Sequence, residues 1–316
     1  MYKAKIDKTI ESLKLASEMS KEFYNKPLII TYSGGKDSDV LLDIARKCLK
    51  PDEFEVINSH TSVDAPETVY HIREVFKDVR GGGTKCTVHI PKDKDGKQIT
   101  MWNLIPKKKM PPTRLVRYCC ATLKETSTPN RICAVGVRAS ESAGRKGRDI
   151  FATRGATKKD AYYYYSLEHS QEVFEESKER DPIWDCTLIK QMRENKDIIV
   201  NPIYEWTYSD IWEYIRENNI KYNPLYDRGH IRVGCVGCPM TTYKGMMKEF
   251  KEYPKIKDAY IRAFQRMIDQ YDDDRKRKMK DWKTGQDVFD WWTGKWKHEV
   301  KGQISLEDWM KNEEEK

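Results

Sequence analysis

The sequence predicts an α/β fold: a doubly wound, mainly parallel sheet with a helical C-terminal appendage. Three observations predict it. Short β-branched runs alternate with segments of helical periodicity, a glycine turn joins the first such run to the first such helix, and residues beyond 240 carry only helical patterning. Strands alternating with helices in this way build βαβ units, whose strands pair in parallel.

Ile6, Ile10, Leu13, Leu15, Ala16, Met19 and Phe23 fall near helical spacing, which predicts an amphipathic helix within residues 1–24. Residues 28–32 form a β-branched run, then Ser33-Gly34-Gly35-Lys36-Asp37-Ser38 makes a turn. After it, Val40, Leu41, Ile44, Ala45 and Cys48 share one helical face. Further strands are expected at 54–59, 86–90 and 132–137, with a helix over 67–79. Residues 151–200 are less periodic, with tyrosines at 162–165 and a charged stretch at 174–181, and predict an irregular excursion or lid. Thr207 and Asp210 have capping-box spacing, so a helix starts near 208. The expected division is a leading helix at 1–24, an α/β domain at 25–240 and a basic, Trp-rich helical region at 241–316.

Composition bounds the rest. The chain has 316 residues, 58 Lys+Arg against 50 Asp+Glu, and 9 Trp, 18 Tyr and 8 Phe. So many aromatics can bury a large core, which excludes wholesale disorder. Apolar runs are too short to span a membrane, and the N-terminal residues lack a signal-peptide core, so the expected location is cytoplasmic, with no membrane partner. In that compartment the eight cysteines do not form a disulfide framework. Cys48 and Cys133 lie in apolar patterns and suit small core positions. Cys119-Cys120 and Cys235-Val-Gly-Cys238 together supply four thiolates. That is enough for structural zinc or an iron–sulfur cluster, and donor chemistry alone leaves open either metal, or none.

The glycine turn carries the sharpest chemistry. Gly34 and Gly35 let backbone N–H groups approach an anion, at a helix N-terminus whose dipole favours negative charge. Ser33 and Ser38 add hydroxyls and Lys36 a mobile cation. Spacings of the Walker A and dinucleotide-binding types are absent. The six residues resemble the SGGxDS loop of the PP-loop ATP pyrophosphatases, the adenine nucleotide alpha hydrolase-like superfamily. That resemblance implies ATP as cofactor, with its β,γ-pyrophosphate on Ser33–Ser38, and Mg²⁺ held with the help of Asp37. Thr31 and His60, at the ends of the first two strands, are candidate pocket residues.

Arg117-Tyr-Cys119-Cys120-Ala-Thr-Leu-Lys124, with Gly234-Cys235-Val-Gly-Cys238-Pro239, is similar to the cysteine pattern of the adenylyl-sulfate reductases. The resemblance implies a [4Fe–4S] cluster on Cys119, Cys120, Cys235 and Cys238, with Lys124 near it. The segments at 201–212, 222–229 and 136–145 resemble the PAPS reductase family, in which arginines take phosphate. Lys36, Asp37, Arg138 and Arg145 are therefore the candidate catalytic set. The resemblance covers roughly residues 25–240.

Two departures redirect the reading. No cysteine follows Cys238, where the reductases carry a nucleophilic one, and the loop is intact where theirs is usually degenerate. Both point to use of ATP. This combination resembles the adenylating component of DNA phosphorothioation (Dnd- and Ssp-type) systems. The partners it implies are nucleic acid, DNA rather than tRNA, and a cysteine desulfurase as sulfur donor; oligomeric state stays open. Alternatives are a reductase using Cys86 or Cys186, a tRNA thiolase, and a nucleotide-sensing or DNA-binding subunit without turnover.

Residues 105–150 hold eleven Lys or Arg against three acids, equal to the whole chain's net charge of +8. The expectation is one anion-binding face, with Lys107–Lys109 and Arg114 for a nucleic-acid backbone. Trp282, Trp291, Trp292 and Trp296 have helical spacing that suits a core better than base stacking. His230 has no ligand spacing.

Overall fold

The structure is a computed structural model, and it describes residues 2–141, 150–153, 164–178, 197–279 and 281–294. The chain packs as two compact units. Unit 1 comprises residues 1–60, 66–90 and 125–234; unit 2 comprises 61–65, 91–124 and 235–316. By packing, the stretch from 25 to 240 therefore contributes to both.

Unit 1 holds a seven-stranded sheet in the order β3-β2-β1-β4-β7-β5-β6. The strands are β1 (Leu28–Thr31), β2 (Phe54–Ser59), β3 (Cys86–His89), β4 (Ile132–Ala134), β5 (Phe151–Thr153), β6 (Tyr164–Tyr165) and β7 (Ile198–Val200). Five of them, β3 through β7 along that order, are parallel; β5 runs antiparallel to both of its neighbours. The doubly wound, mainly parallel fold is as the sequence predicts. The irregular excursion expected over 151–200 is not: it supplies three strands and a helix, Leu167–Lys178. Strands of two or three residues are too short to show a period of two, which is why the pattern hid them.

Among the described residues, five helices pack with this sheet: α1 (Tyr2–Tyr24), α2 (Lys36–Cys48), α3 (Pro66–Gly81), the Leu167–Lys178 helix and one at Tyr208–Glu217. The last is closed by the expected capping box, with the Asp210 amide donating to Thr207 Oγ1 at 3.2 Å and the Thr207 amide to Asp210 Oδ2 at 2.7 Å. Leu28, Ile30, Val40, Leu41, Phe54 and Val56 are buried in the core, as is Cys133. Trp206 is fully buried, and its indole N–H donates to Thr9 Oγ1 at 3.0 Å, which fastens α1 to the segment after β7.

β1 pairs with β2 on one side and β4 on the other. The chain thus winds outward in both directions from the β1/β4 boundary. In open parallel sheets, the crevice beyond the strand C-termini at such a switch point is where ligands bind.

Unit 2 is helical. It contains α4 (Met101–Lys108), α5 (Tyr118–Leu123) and four C-terminal helices, Tyr243–Glu252, Pro254–Asp269, Asp273–Lys278 and Gly285–Thr293. Phe250, Tyr260, Phe264 and Phe289 are buried around Trp292, whose ring centroid lies 4.8 Å from that of Tyr260. The core role expected of Trp292 holds. Trp291 is 41% exposed and packs edge-on against Trp282; Trp296 lies outside the described residues. Among the described residues no helix is long and apolar enough to cross a membrane.

Candidate functional sites

The first site lies in unit 1 at the switch point. Leaving β1, the chain turns through Gly34, whose φ of +73° strongly favours glycine, and enters α2 with Gly35 as its N-cap. Ser38 organises the turn: its hydroxyl accepts from the Gly35 amide at 3.2 Å and the Ser33 amide at 3.3 Å, and donates to the Gly35 carbonyl at 2.7 Å. From the neighbouring strand, Gly136 comes so close that a Cβ there would lie 3.2 Å from the Asp37 carbonyl carbon. That approach delivers Arg138.

Charge at the turn is compensated in part. Asp37 accepts from Lys36 Nζ at 2.9 Å through Oδ2 and from Arg138 Nε at 2.5 Å through Oδ1. Lys36 and Arg138 side chains are each only 5% exposed. One carboxylate therefore pairs with two nearly buried cations at a helix N-terminus and leaves a net positive charge there. An arriving polyanion can take over that counter-ion role, because two cations and a helix dipole outweigh one carboxylate.

A second segment, after the Tyr208–Glu217 helix, holds the turn from outside. Asn223, fully buried, donates through Nδ2 to the Gly34 carbonyl and to Thr68 Oγ1, both at 3.0 Å. The Lys36 amide donates to the Tyr226 hydroxyl at 3.1 Å. Lys36 Nζ lies 5.3 and 5.5 Å from the Tyr208 and Tyr226 ring centroids, within cation–π range. Trp212 meets Tyr226 edge-on at 5.4 Å and fixes its ring. Burial pushes the Tyr226 phenol well above its ordinary range, so it keeps its proton at neutral pH.

Behind the turn, α2 buries a polar triad. Tyr32 donates to Asp39 Oδ1 at 2.5 Å, and His71 Nε2 lies 3.0 Å from both that oxygen and the Tyr32 hydroxyl oxygen. Asp39 Oδ2 is buried with no hydrogen-bond partner among the described residues. Burial raises the Asp39 carboxyl against the opposing pull of His71 and Tyr32. Sequence reading missed this triad and the Tyr226 contact. Tyr226 stood out only within a resemblance, and Asp39 looks like any polar residue on α2.

Of the pocket candidates, Ser33, Gly34, Gly35, Lys36, Asp37 and Ser38 form the turn, and Arg138 joins them. The Thr31 hydroxyl instead donates to the Ala134 carbonyl at 3.0 Å, tying β1 to β4. His60 follows β2, with its amide donating to the His89 carbonyl. Arg145 and Cys186 lie outside the described residues. Cys86 is buried, and that burial raises its thiol to about 11, unsuited to a nucleophile.

The second site lies in unit 2. α5 carries Cys119 and Cys120, and the 235–238 turn carries the other pair. Gly237 makes that turn with φ +70°, and an added Cβ would lie 2.5 Å from Phe250 Cζ. Its amide donates to Glu249 Oε2 at 2.8 Å, and the Cys235 stretch bridges antiparallel to Asp64. Neighbouring cysteine side chains would be expected to diverge, yet Cys119 and Cys120 hydrogen-bond to each other. That contact raises Cys119 and lowers Cys120, the latter helped by Arg117, which donates to Cys120 Sγ at 3.3 Å. Burial raises Cys235, and the attraction between Lys124 and the ionised form of that thiol holds the Lys124 ammonium above the usual lysine range. Cys119 and Cys238 in turn influence Arg117 electrostatically, so all four thiols share one neighbourhood. Among the described residues no three His, Cys, Asp or Glu converge to hold a single metal ion.

The expectation of one anion face over 105–150 is corrected, because the segment divides between the two units. Arg131 pairs with Glu55 and Arg138 with Asp37 in unit 1. In unit 2, Arg117 serves Cys120, and Arg114 donates to the carbonyls of Pro239, Met240 and Thr241. Most of these cations balance local charge or cap carbonyls.

The family model for the phosphoadenosine phosphosulfate reductase domain matches residues 27–241. The chain belongs to that family. An uncharacterised Methanocaldococcus jannaschii protein is 23% identical over 267 residues, 84% of this chain and 54% of the relative. The adenosine 5'-phosphosulfate reductase of Anoxybacillus flavithermus is 24% identical over 222 residues, 70% of this chain and 77% of the relative. Sulfate adenylyltransferase subunit 2 of Pseudoalteromonas translucida is 26% identical over 218 residues, 68% of this chain and 65% of the relative. The chain spans about half the length of the Methanocaldococcus relatives it matches.

The Tyr226 hydroxyl occupies an amide that an anion at the turn would need. Tyr226→Phe is expected to bind inorganic pyrophosphate about 2- to 10-fold more tightly by isothermal titration, the scale of one neutral hydrogen bond. Weaker binding would instead make the hydroxyl a ligand of the anion.

Proposed function

We propose that the chain is an ATP pyrophosphatase of the PAPS reductase family that adenylates an acceptor oxygen during sulfur transfer. The observation that carries this reading is the Lys36–Asp37–Arg138 arrangement on an intact Ser33–Ser38 turn. An oxygen of the acceptor attacks the α-phosphorus; the new O–P bond forms as the bond to the β-phosphate oxygen breaks, and pyrophosphate leaves. Lys36, Arg138 and the turn amides stabilise the charge that gathers on the departing phosphates. Asp37, displaced as counter-ion, becomes an oxygen donor at the mouth of the cradle. Such a hard donor fits Mg²⁺, which neutralises phosphate charge when bound.

The four cysteines of unit 2 fit a [4Fe–4S] cluster by donor chemistry: four neighbouring thiols, a lowered Cys120 and two cations to offset thiolate charge. Cys119, Cys120, Cys235 and Cys238 would hold it. With every iron bound by protein, such a cluster would order the cysteine-bearing segments and tune the local field.

The acceptor in this reading is the DNA backbone, where an adenylated non-bridging oxygen leaves as AMP when the terminal sulfur of a desulfurase persulfide attacks the phosphorus, and an external dithiol then reduces the remaining S–S bond. The named relatives support both an ATP-using and a reductase reading; the raised Cys86 thiol weighs against a reductase using that residue.

Under anaerobic conditions, ATP with DNA is expected to release pyrophosphate, and Lys36→Ala to lower that rate by about 10²-fold or more. Absence of pyrophosphate with any acceptor, or thioredoxin-dependent sulfite release from adenylyl sulfate, would overturn the reading. Iron analysis and visible thiolate-to-iron absorbance of the same preparation test the cluster; a colourless protein with stoichiometric zinc would refute it.

A further inference from the structure

Lys97, Lys107 and Lys108 line a cavity of about 200 Å³ in unit 2, together with Asn103, Asp93 and Thr122. The cavity lies between α4, the 93–99 turn and α5, the helix that carries Cys119 and Cys120. Its polar lining is already organised. Asp93 Oδ1 accepts from the amides of Asp95 and Lys97 at 3.0 and 2.9 Å, which shapes the turn. Asn103 accepts from the Thr100 amide at 2.9 Å and donates to the Gln98 carbonyl at 2.8 Å, joining the turn to α4.

The lysines are the exception. Among the described residues none of the three makes an ion pair, and Lys108 has only the Tyr118 ring, 6.0 Å away. Lys107 and Lys108 lie in the last turn of α4, where the Lys109 carbonyl is taken by the Tyr271 hydroxyl at 3.0 Å and Arg275 Nη2 at 2.6 Å, so neither lysine is spent on that carbonyl. Three cations against one committed carboxylate leave a net positive hollow, in a segment where the arginines described above are otherwise engaged.

We propose that this lysine-lined cavity is a second anion site, distinct from the phosphate turn of unit 1, and that it grips the phosphodiester backbone of a nucleic-acid strand. A strand rather than a compact anion is favoured by the donor set: small phosphates are held by converging backbone amides, whereas this hollow offers lysine ammonium groups. The lysines are also exposed and spread along a turn and a helix, as successive phosphates require, and Ile99 and buried Leu104 offer an apolar floor for sugars. The proposal deepens the function proposed above by naming where the acceptor strand is held, and rests on that reading only for the chemistry that follows binding.

The test is fluorescence polarisation of a labelled single-stranded oligodeoxynucleotide on the full chain, without ATP, across a salt series. Omitting ATP separates this result from the pyrophosphatase reading. The triple variant Lys97→Gln/Lys107→Gln/Lys108→Gln is expected to lose tenfold or more in affinity and to lower the log–log salt slope by about 2. A triple Lys→Arg variant, which keeps the charge, is expected to retain both. Unchanged affinity and slope in the Gln variant, or equal loss in the Arg variant, would overturn the proposal. So would inorganic pyrophosphate displacing the oligonucleotide with the same dependence on the three lysines, which would mark a small-anion site.

Discussion

One carboxylate, Asp37, stands between Lys36 and Arg138, and the unit 1 site depends on that arrangement. Two nearly buried cations at a helix N-terminus would repel each other and the dipole without it. Its presence stabilises the turn by pairing with both cations. The sheet makes this possible: β1 and β4 are neighbours at the switch point, so the turn after one and the arginine after the other meet. Gly136 permits the approach, and Asn223 and Tyr226 hold the turn's outer side. The Tyr32–Asp39–His71 triad anchors the first turns of α2 from within.

Unit 2 solves a similar problem with the opposite sign. Its cysteine neighbourhood gathers groups that become negative, and Arg117 and Lys124 offset them. Tight turns fix the segment that carries Cys235 and Cys238: Gly237 has no room for a side chain beside Phe250, and Arg114 ties Pro239 through Thr241. Basic residues that look uniform in sequence thus have three different employments. Some neutralise carboxylates, some attend thiols, and three lysines face an open hollow.

The parts legible in the sequence were those written locally. The SGGKDS turn, the strands of β1 to β4, α2, α3 and the Thr207 cap each need only a few adjacent residues, and the structure has them. The rest depends on long-range meetings. Tyr226 reaches Lys36 across 190 positions, and Arg138 reaches Asp37 across 101, so no periodicity announces either. β5 to β7 are too short for alternation to show, and the expected irregular excursion became sheet. The basic segment read as one face because sequence distance stood in for packing, which instead assigns it to two units.

The central claim is that the Ser33–Ser38 turn exchanges an internal counter-ion for the β,γ-phosphates of ATP. A crystal structure with an ATP analogue uncleavable between the α- and β-phosphates tests it most directly. The account predicts the terminal phosphates on the turn, with Lys36 and Arg138 turned from Asp37 to phosphate oxygens and the Tyr226 hydroxyl off the Lys36 amide. A triphosphate bound elsewhere, with the Lys36–Asp37–Arg138 pairing and the Tyr226 contact intact, would contradict it.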